Sequence, residues 1–122
     1  MNISYSSEII HGNKRGKALG FPTANQKLEM EIPEGIYVSH AVLNGTSYNA
    51  LTFIGKAQTF NEKKYQSETY ILDFNEDIYG QILTVTLLKK LRDNMKFNSV
   101  EELISQMKKD TEDAIEYFKH QA

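Results

Sequence analysis

Asn44-Gly45 stands between two runs of β-formers and leaves the chain few ways to continue. From Ile36 to Leu43 the residues alternate, with Ile36, Val38, His40 and Val42 on one side and Tyr37, Ser39, Ala41 and Leu43 on the other. Asparagine followed by glycine supplies the positive φ values of a tight hairpin turn, so Thr46 to Ile54 is predicted to return as the antiparallel partner. Thr69 to Phe74 and Ile82 to Leu88 are two further β-rich runs, with Asn75-Glu76-Asp77 and Gly80 between them as turn material. Ile3 to Ile10 reads as a first strand. Five or six short strands with tight links predict a mainly β chain, folded as an antiparallel barrel or sandwich.

The end of the sequence changes character. Ser99-Val100-Glu101-Glu102 fits a capping box. Val100, Leu103, Ile104, Met107, Thr111, Ala114, Ile115 and Phe118 then recur at helical spacing, predicting one amphipathic helix whose stripe packs on the β-structure. The 122 residues suit a single domain, with the β-part over about 1–92 and the helix over about 99–119. The absence of cysteine excludes a disulfide scaffold, thiolate zinc sites and a cysteine nucleophile. Lys+Arg 14 against Asp+Glu 16 leaves a net charge of −2, which argues against coating nucleic acid or binding an acidic membrane surface. No apolar run is long enough to span a bilayer and the first residues lack a signal-peptide pattern, so a cytoplasmic protein is expected.

The charge is unevenly spread. His11 to Lys17 holds Lys14, Arg15 and Lys17 with no acid, whereas the final helix is acidic. In the same stretch Gly12, Gly16 and Gly20 supply three of the seven glycines. Glycine lets backbone amides turn toward an anion, and a discrete basic loop on a neutral protein suggests a phosphate group. Neither a P-loop nor a dinucleotide GxGxxG fits the spacing; a glycine-rich connection with solvated lysines is the plainer alternative. Pro22-Thr23-Ala24-Asn25 follows. In an extended segment Thr23 and Asn25 share a side and offer neutral oxygens, suited to magnesium that arrives with a nucleotide's phosphates. A turn in which both bond to nearby backbone is the alternative reading.

His11-Gly12-x-x-Arg15-Gly16-x-x-Leu19-Gly20-Phe21-Pro22-Thr23-Ala24-Asn25 closely resembles the signature of riboflavin kinases. The likeness continues in order through Gly35-Ile36-Tyr37, Ile54-Gly55 with Thr59-Phe60, Glu68 to Phe74, Asp77-Ile78-Tyr79-Gly80, Leu91-Arg92 with Lys96-Phe97, and Ser99-x-Glu101-x-Leu103. It covers nearly the whole chain. The sequence departs from the family pattern at Gln58, where a proline is usual, and at Ser7-Glu8, where many bacterial members have a glycine.

The resemblance implies a six-stranded antiparallel Greek-key barrel with a C-terminal helix. It also implies transfer of the γ-phosphate of ATP to the terminal ribityl hydroxyl of riboflavin, giving FMN and ADP. Carried over by motif, Glu68 is the implied catalytic base, Thr23 and Asn25 the ligands of Mg²⁺, and Gly12, Lys17 and Thr23 the nucleotide-binding residues. Arg92, Met95 and Phe97 are the implied flavin-binding residues. Read without the family, a strand glutamate such as Glu68 is more often a solvated outer-face residue, Asp73 and Asp77 are competing carboxylates, and a surface arginine and core-facing Met95 and Phe97 are the plainer readings. The implied partners are ATP/ADP and riboflavin/FMN, with no nucleic acid and no membrane, and a monomer is expected. Many bacterial relatives carry an N-terminal adenylyltransferase domain that makes FAD. No such domain or HxGH motif is expected here, which leaves open a free-standing kinase or an excised domain. Two other functions stay in view: a flavin-binding regulatory module without turnover, and a small nucleic-acid-binding barrel that would need a basic, aromatic face.

Overall fold

The computed structural model describes residues 2–10, 23–59, 62–74, 76 and 78–121, with the backbone alone for 57–59 and 62–64. Six strands and one helix follow in order: β1 (Ile3–Glu8), β2 (Ala24–Leu28), β3 (Gly35–Leu43), β4 (Thr46–Thr59), β5 (Glu62–Ile71), β6 (Ile82–Arg92) and α1 (Val100–Lys119). Asn44 and Gly45 adopt φ of 50° and 80°, and Leu43 pairs with Thr46, so the predicted hairpin forms where the turn chemistry demands.

The strands form one antiparallel sheet in the order β1-β6-β3-β4-β5-β2. β3, β4 and β5 are neighbours in sequence and in space, and β6 returns to lie beside β3, which is a Greek key. The two end strands meet: Ile10 N donates to Asn25 O at 2.8 Å, and the sheet becomes a nearly closed barrel.

Alternation along the strands sorts the side chains. Tyr37, Ala41, Leu43, Ala50, Ile54, Ile71, Leu83, Val85 and Leu87 fill the inside. A chain of hydroxyls runs among them, Ser39 to Thr52 at 2.8 Å and Thr52 to Thr69 at 3.0 Å, all buried. Ile36, Val38 and Leu51 point outward and are covered by Ala114, Tyr117 and Phe118 of α1. The two sides read for Ile36 to Leu43 are therefore the helix-facing and interior sides.

Three sequence expectations need correction. The predicted strand over Thr69 to Phe74 begins earlier and ends at Ile71. Its first half is too polar to read as a strand, and Asp73 takes φ 55° in a turn. The helical stripe needs a partial correction: Met107 and Ala114 are buried and Leu103, Ile104, Thr111 and Phe118 half-buried as expected, but Val100 and Ile115 are exposed and Asp110 joins the buried positions. The capping box is only half reciprocal. Ser99 Oγ accepts from Glu102 N at 3.2 Å, but the Glu102 carboxylate accepts from Asn98 N at 2.9 Å. Among the described residues no helix is long and apolar enough to cross a membrane.

Candidate active site

Strand register places the candidate residues in one row. Arg92 of β6 lies opposite Ile36 of β3, Ile36 opposite Phe53 of β4, Phe53 opposite Glu68 of β5, and Glu68 opposite Asn25 of β2. Ile10 closes the row against Asn25. Directly opposed residues of antiparallel strands share a face. Ile36 and Phe53 belong to the helix-facing cluster, so the row runs over the outside of the barrel wall. With strands spaced roughly 4.8 Å, Asn25 and Glu68 are immediate neighbours, while Arg92 stands three strands away, at roughly 14 Å.

Asn25 is buried, and its Nδ2 lies 3.5 Å from the carbonyl oxygen of Thr23. With the amide turned that way, Oδ1 is the atom left to face a cation. Glu68 is half-buried. Among the described residues its carboxylate has neither a hydrogen bond nor an ion pair, and burial alone raises its pKa. A base with an elevated pKa is better matched to accepting a proton near neutrality than an ordinary surface carboxylate. Among the described residues no group of three or more His, Cys, Asp or Glu could hold a metal by itself. A cation at Thr23 and Asn25 would therefore depend on oxygens brought by a ligand. This suits Mg²⁺, which keeps several non-protein oxygens and is commonly bound with phosphates.

At the far end of the row Arg92 is already engaged. Its Nε donates to Asp110 Oδ1 at 2.9 Å and its Nη2 to Oδ2 at 2.7 Å, a bidentate pair, while Nη1 donates to the Asp93 carbonyl at 3.0 Å. Met95 is 50% exposed and Phe97 partly so. The segment between Arg92 and α1 is tied down by Asn94, whose Nδ2 donates to Ile54 O at 3.2 Å and to Glu34 Oε2 at 3.1 Å. Ile54 adjoins Phe53, so this segment is anchored one residue from the row that carries Glu68.

The structure thus brings Asn25, Glu68 and Arg92 into one row, with Thr23 just ahead of β2 and Met95 and Phe97 just beyond β6. Gly12, Lys17 and Asp77 lie outside the described residues. Asp73, the competing carboxylate, falls in the turn after β5 and not in the row. Sequence reasoning missed two members. Phe53 packs beside Glu68, and its only signal was the alternation of β4. Asp110 holds Arg92, and its signal was an acid on the buried side of the helix.

Fold and row define a class of protein: a small six-stranded barrel with a half-buried strand carboxylate beside an amide on the outside of its wall. A family model described as riboflavin kinase matches residues 1–118, and the chain belongs to that family. A bifunctional riboflavin kinase/FMN adenylyltransferase of Bacillus subtilis (strain 168) is 40% identical over 116 residues, which are 90% of this chain and 37% of that protein. The trifunctional protein RibF/MnmA of Mycoplasmoides gallisepticum is 39% identical over 116 residues, covering 93% of this chain and 18% of its own length. The chain therefore spans little more than a third, or less, of these relatives. A crystal structure described as a macrolide-efflux protein from Streptococcus pneumoniae superposes with a TM-score of 0.83 at 38% identity, over 89% of this chain and 37% of that one. The riboflavin kinase of Trypanosoma brucei shares the fold, with a TM-score of 0.69 at 21% identity over 98% of this chain and 82% of that one.

Proposed function

We propose that the chain is a riboflavin kinase, moving the γ-phosphoryl group of ATP to the terminal ribityl hydroxyl of riboflavin. The observation that carries this reading is the pairing of Asn25, directly across the β2–β5 ladder, with a half-buried Glu68 that has no partner among the described residues. Phosphoryl transfer asks a protein mainly for positioning and charge neutralisation, plus a carboxylate to orient the attacking hydroxyl. Glu68 is assigned that role. As the ribityl oxygen bonds to phosphorus, the bond from phosphorus to the leaving ADP oxygen breaks, ADP departs with the electron pair, and the hydroxyl proton passes to the Glu68 carboxylate.

Thr23 and Asn25 would hold Mg²⁺, which when bound neutralises charge on the transferring phosphoryl oxygens. Thr23, Gly12 and Lys17 are assigned to the nucleotide phosphates. Met95 and Phe97 are assigned to the flavin rings, and both stand in the segment that Asn94 anchors beside the row. Arg92 is assigned to the flavin side as well, with its guanidinium plane set by Asp110. Burying part of Glu68 also limits the water that could compete for the phosphoryl group.

The test is to incubate the protein with riboflavin, ATP and Mg²⁺ and to separate the flavins. FMN is expected from the wild type and not from Glu68→Gln. Flavin binding with no FMN above the Glu68→Gln control would overturn the kinase reading in favour of a regulatory module.

A further inference from the structure

The end strands β1 and β2 share a single backbone bridge among the described residues, Ile10 to Asn25. Beside it lies a fully buried polar side chain. Gln26 follows Asn25 on β2 and points into the barrel, where Nε2 lies 3.0 Å from Ser7 O, 3.0 Å from Ser7 Oγ and 2.9 Å from Leu83 O. Ser7 of β1 and Leu83 of β6 are register partners, so one amide joins three strands at the point where the sheet closes on itself.

The placement is costly, because Gln26 Oε1 is buried with no hydrogen-bond partner among the described residues. Ser67 Oγ, on the residue paired with Gln26, and Tyr5 Oη are also buried here, near enough to each other that Ser67 and Thr69 partly offset the rise in the Tyr5 pKa that burial causes. A core that needed only filling would place an apolar residue here. The donors of Gln26 must therefore be what this position requires.

We propose that Gln26 is a positioning residue for the nucleotide side of the site. Its amide clasps β2 to the β1–β6 pair, and so sets Asn25 opposite Glu68 and holds together the two stems, Ile10 and Thr23, that bound residues 11–22. The proposal rests on the reading of Asn25 and Glu68 as the reacting pair. It assigns Gln26 no contact with substrate.

Gln26→Met keeps length and volume but donates nothing; Gln26→Asn keeps the amide but withdraws it by one methylene. In folded protein, KM for MgATP is expected to rise roughly tenfold in Gln26→Met, the worth of one or two hydrogen bonds. KM for riboflavin should stay within about twofold. Gln26→Asn should shift in the same direction, and it carries the test if Gln26→Met does not fold. Amide exchange gives a second readout that needs no activity. The Ile10 amide, bonded to Asn25 O, should exchange roughly tenfold faster in the variants, while the Val38 amide in the opposite wall keeps its rate. A merely structural role would lower the active fraction and leave both KM values where they were. Unchanged KM for MgATP together with unchanged Ile10 exchange would overturn the clasp. A wild type that makes no FMN would instead remove the kinase reading, and Ile10 exchange would still decide whether the clasp exists.

Discussion

The barrel is held at two joints of opposite chemistry. On the helix-covered wall the joint is ionic, with Arg92 of β6 gripping Asp110 of α1 through two bonds while Asp110 is 1% exposed. At the seam the joint is a neutral amide, Gln26, tying β2 to β1 and β6. The difference bears on Glu68. Among the described residues no charged partner contributes to its raised pKa; burial is the cause. A charge buried behind Asn25 would act on that carboxylate through a low-dielectric interior. The ionic joint stands three strands away, where its two charges cancel each other. Among the described residues the buried charge pair fastens the helix, while the seam beside Asn25 and Glu68 is tied by a neutral amide.

The largest effect expected from breaking this arrangement is at Glu68 itself. Glu68→Gln should lower kcat by roughly 10²- to 10⁴-fold, the usual worth of a positioned acid or base. Its stability should move the other way. A carboxyl whose pKa is raised by folding contributes stability that is fully present below its ordinary value and is lost as pH rises through the raised one. At neutral pH Glu68→Gln should therefore melt above the wild type, and the gap should close on acidification. In the wild type, kcat/KM should rise with pH through a value above that of an ordinary carboxylate. A variant that loses activity and stability together would mean that Glu68 is a structural residue.

Breaking the ionic joint should give the reverse pattern. Asp110→Asn removes the charge facing Arg92 and should cost about 3 kcal/mol, since losing one partner of a buried pair leaves the other uncompensated. Urea unfolding would measure it. In the folded fraction the Asn25–Glu68 pair is untouched, so KM for MgATP should hold while KM for riboflavin rises as the Arg92 plane comes loose. Equal effects on both substrates would erase the distinction between the joints.

How far these joints could be read from sequence follows from where their partners lie. Asn44-Gly45 and Ser99 act on residues within a few positions, and both behave as their chemistry requires. Asp110 and Arg92 meet across 18 residues of sequence, so apolar periodicity alone put Val100 and Ile115 on the helix's buried face, where the structure leaves them exposed, and passed over the acid. Of β5, only Thr69 to Ile71 was legible as strand. Its second half alternates clearly, but the stretch Glu62 to Gln66 is charged and polar because it lies toward the end of a long hairpin. The row from Arg92 to Asn25 is a product of register, to which each strand contributes one residue. The resemblance named three residues of the row, Asn25, Glu68 and Arg92, while their placement on the outer wall required the fold.

The smallest of the expected effects probes the segment between the ionic joint and the row. Gly35 has φ 150°, and a Cβ built there would sit 2.5 Å from Lys90 Cε and 2.7 Å from the Arg92 carbonyl oxygen. The lysine can swing aside, but the carbonyl belongs to the backbone that carries Arg92 into the 93–99 segment. Gly35 is also paired with Ile54, whose carbonyl accepts the Asn94 anchor. Gly35→Ala should thus cost about 2 kcal/mol through backbone strain and displacement of β6. It should raise KM for riboflavin with little change for MgATP, the same signature as Asp110→Asn from a different direction. Combining the two substitutions sharpens the comparison. If both act by moving Arg92 and its following segment, their effects on riboflavin KM should fall short of additive, as expected of residues that share one structural element. Full additivity would mean that the two act independently, Gly35 through Ile54 and Asn94 and the ionic joint through Arg92.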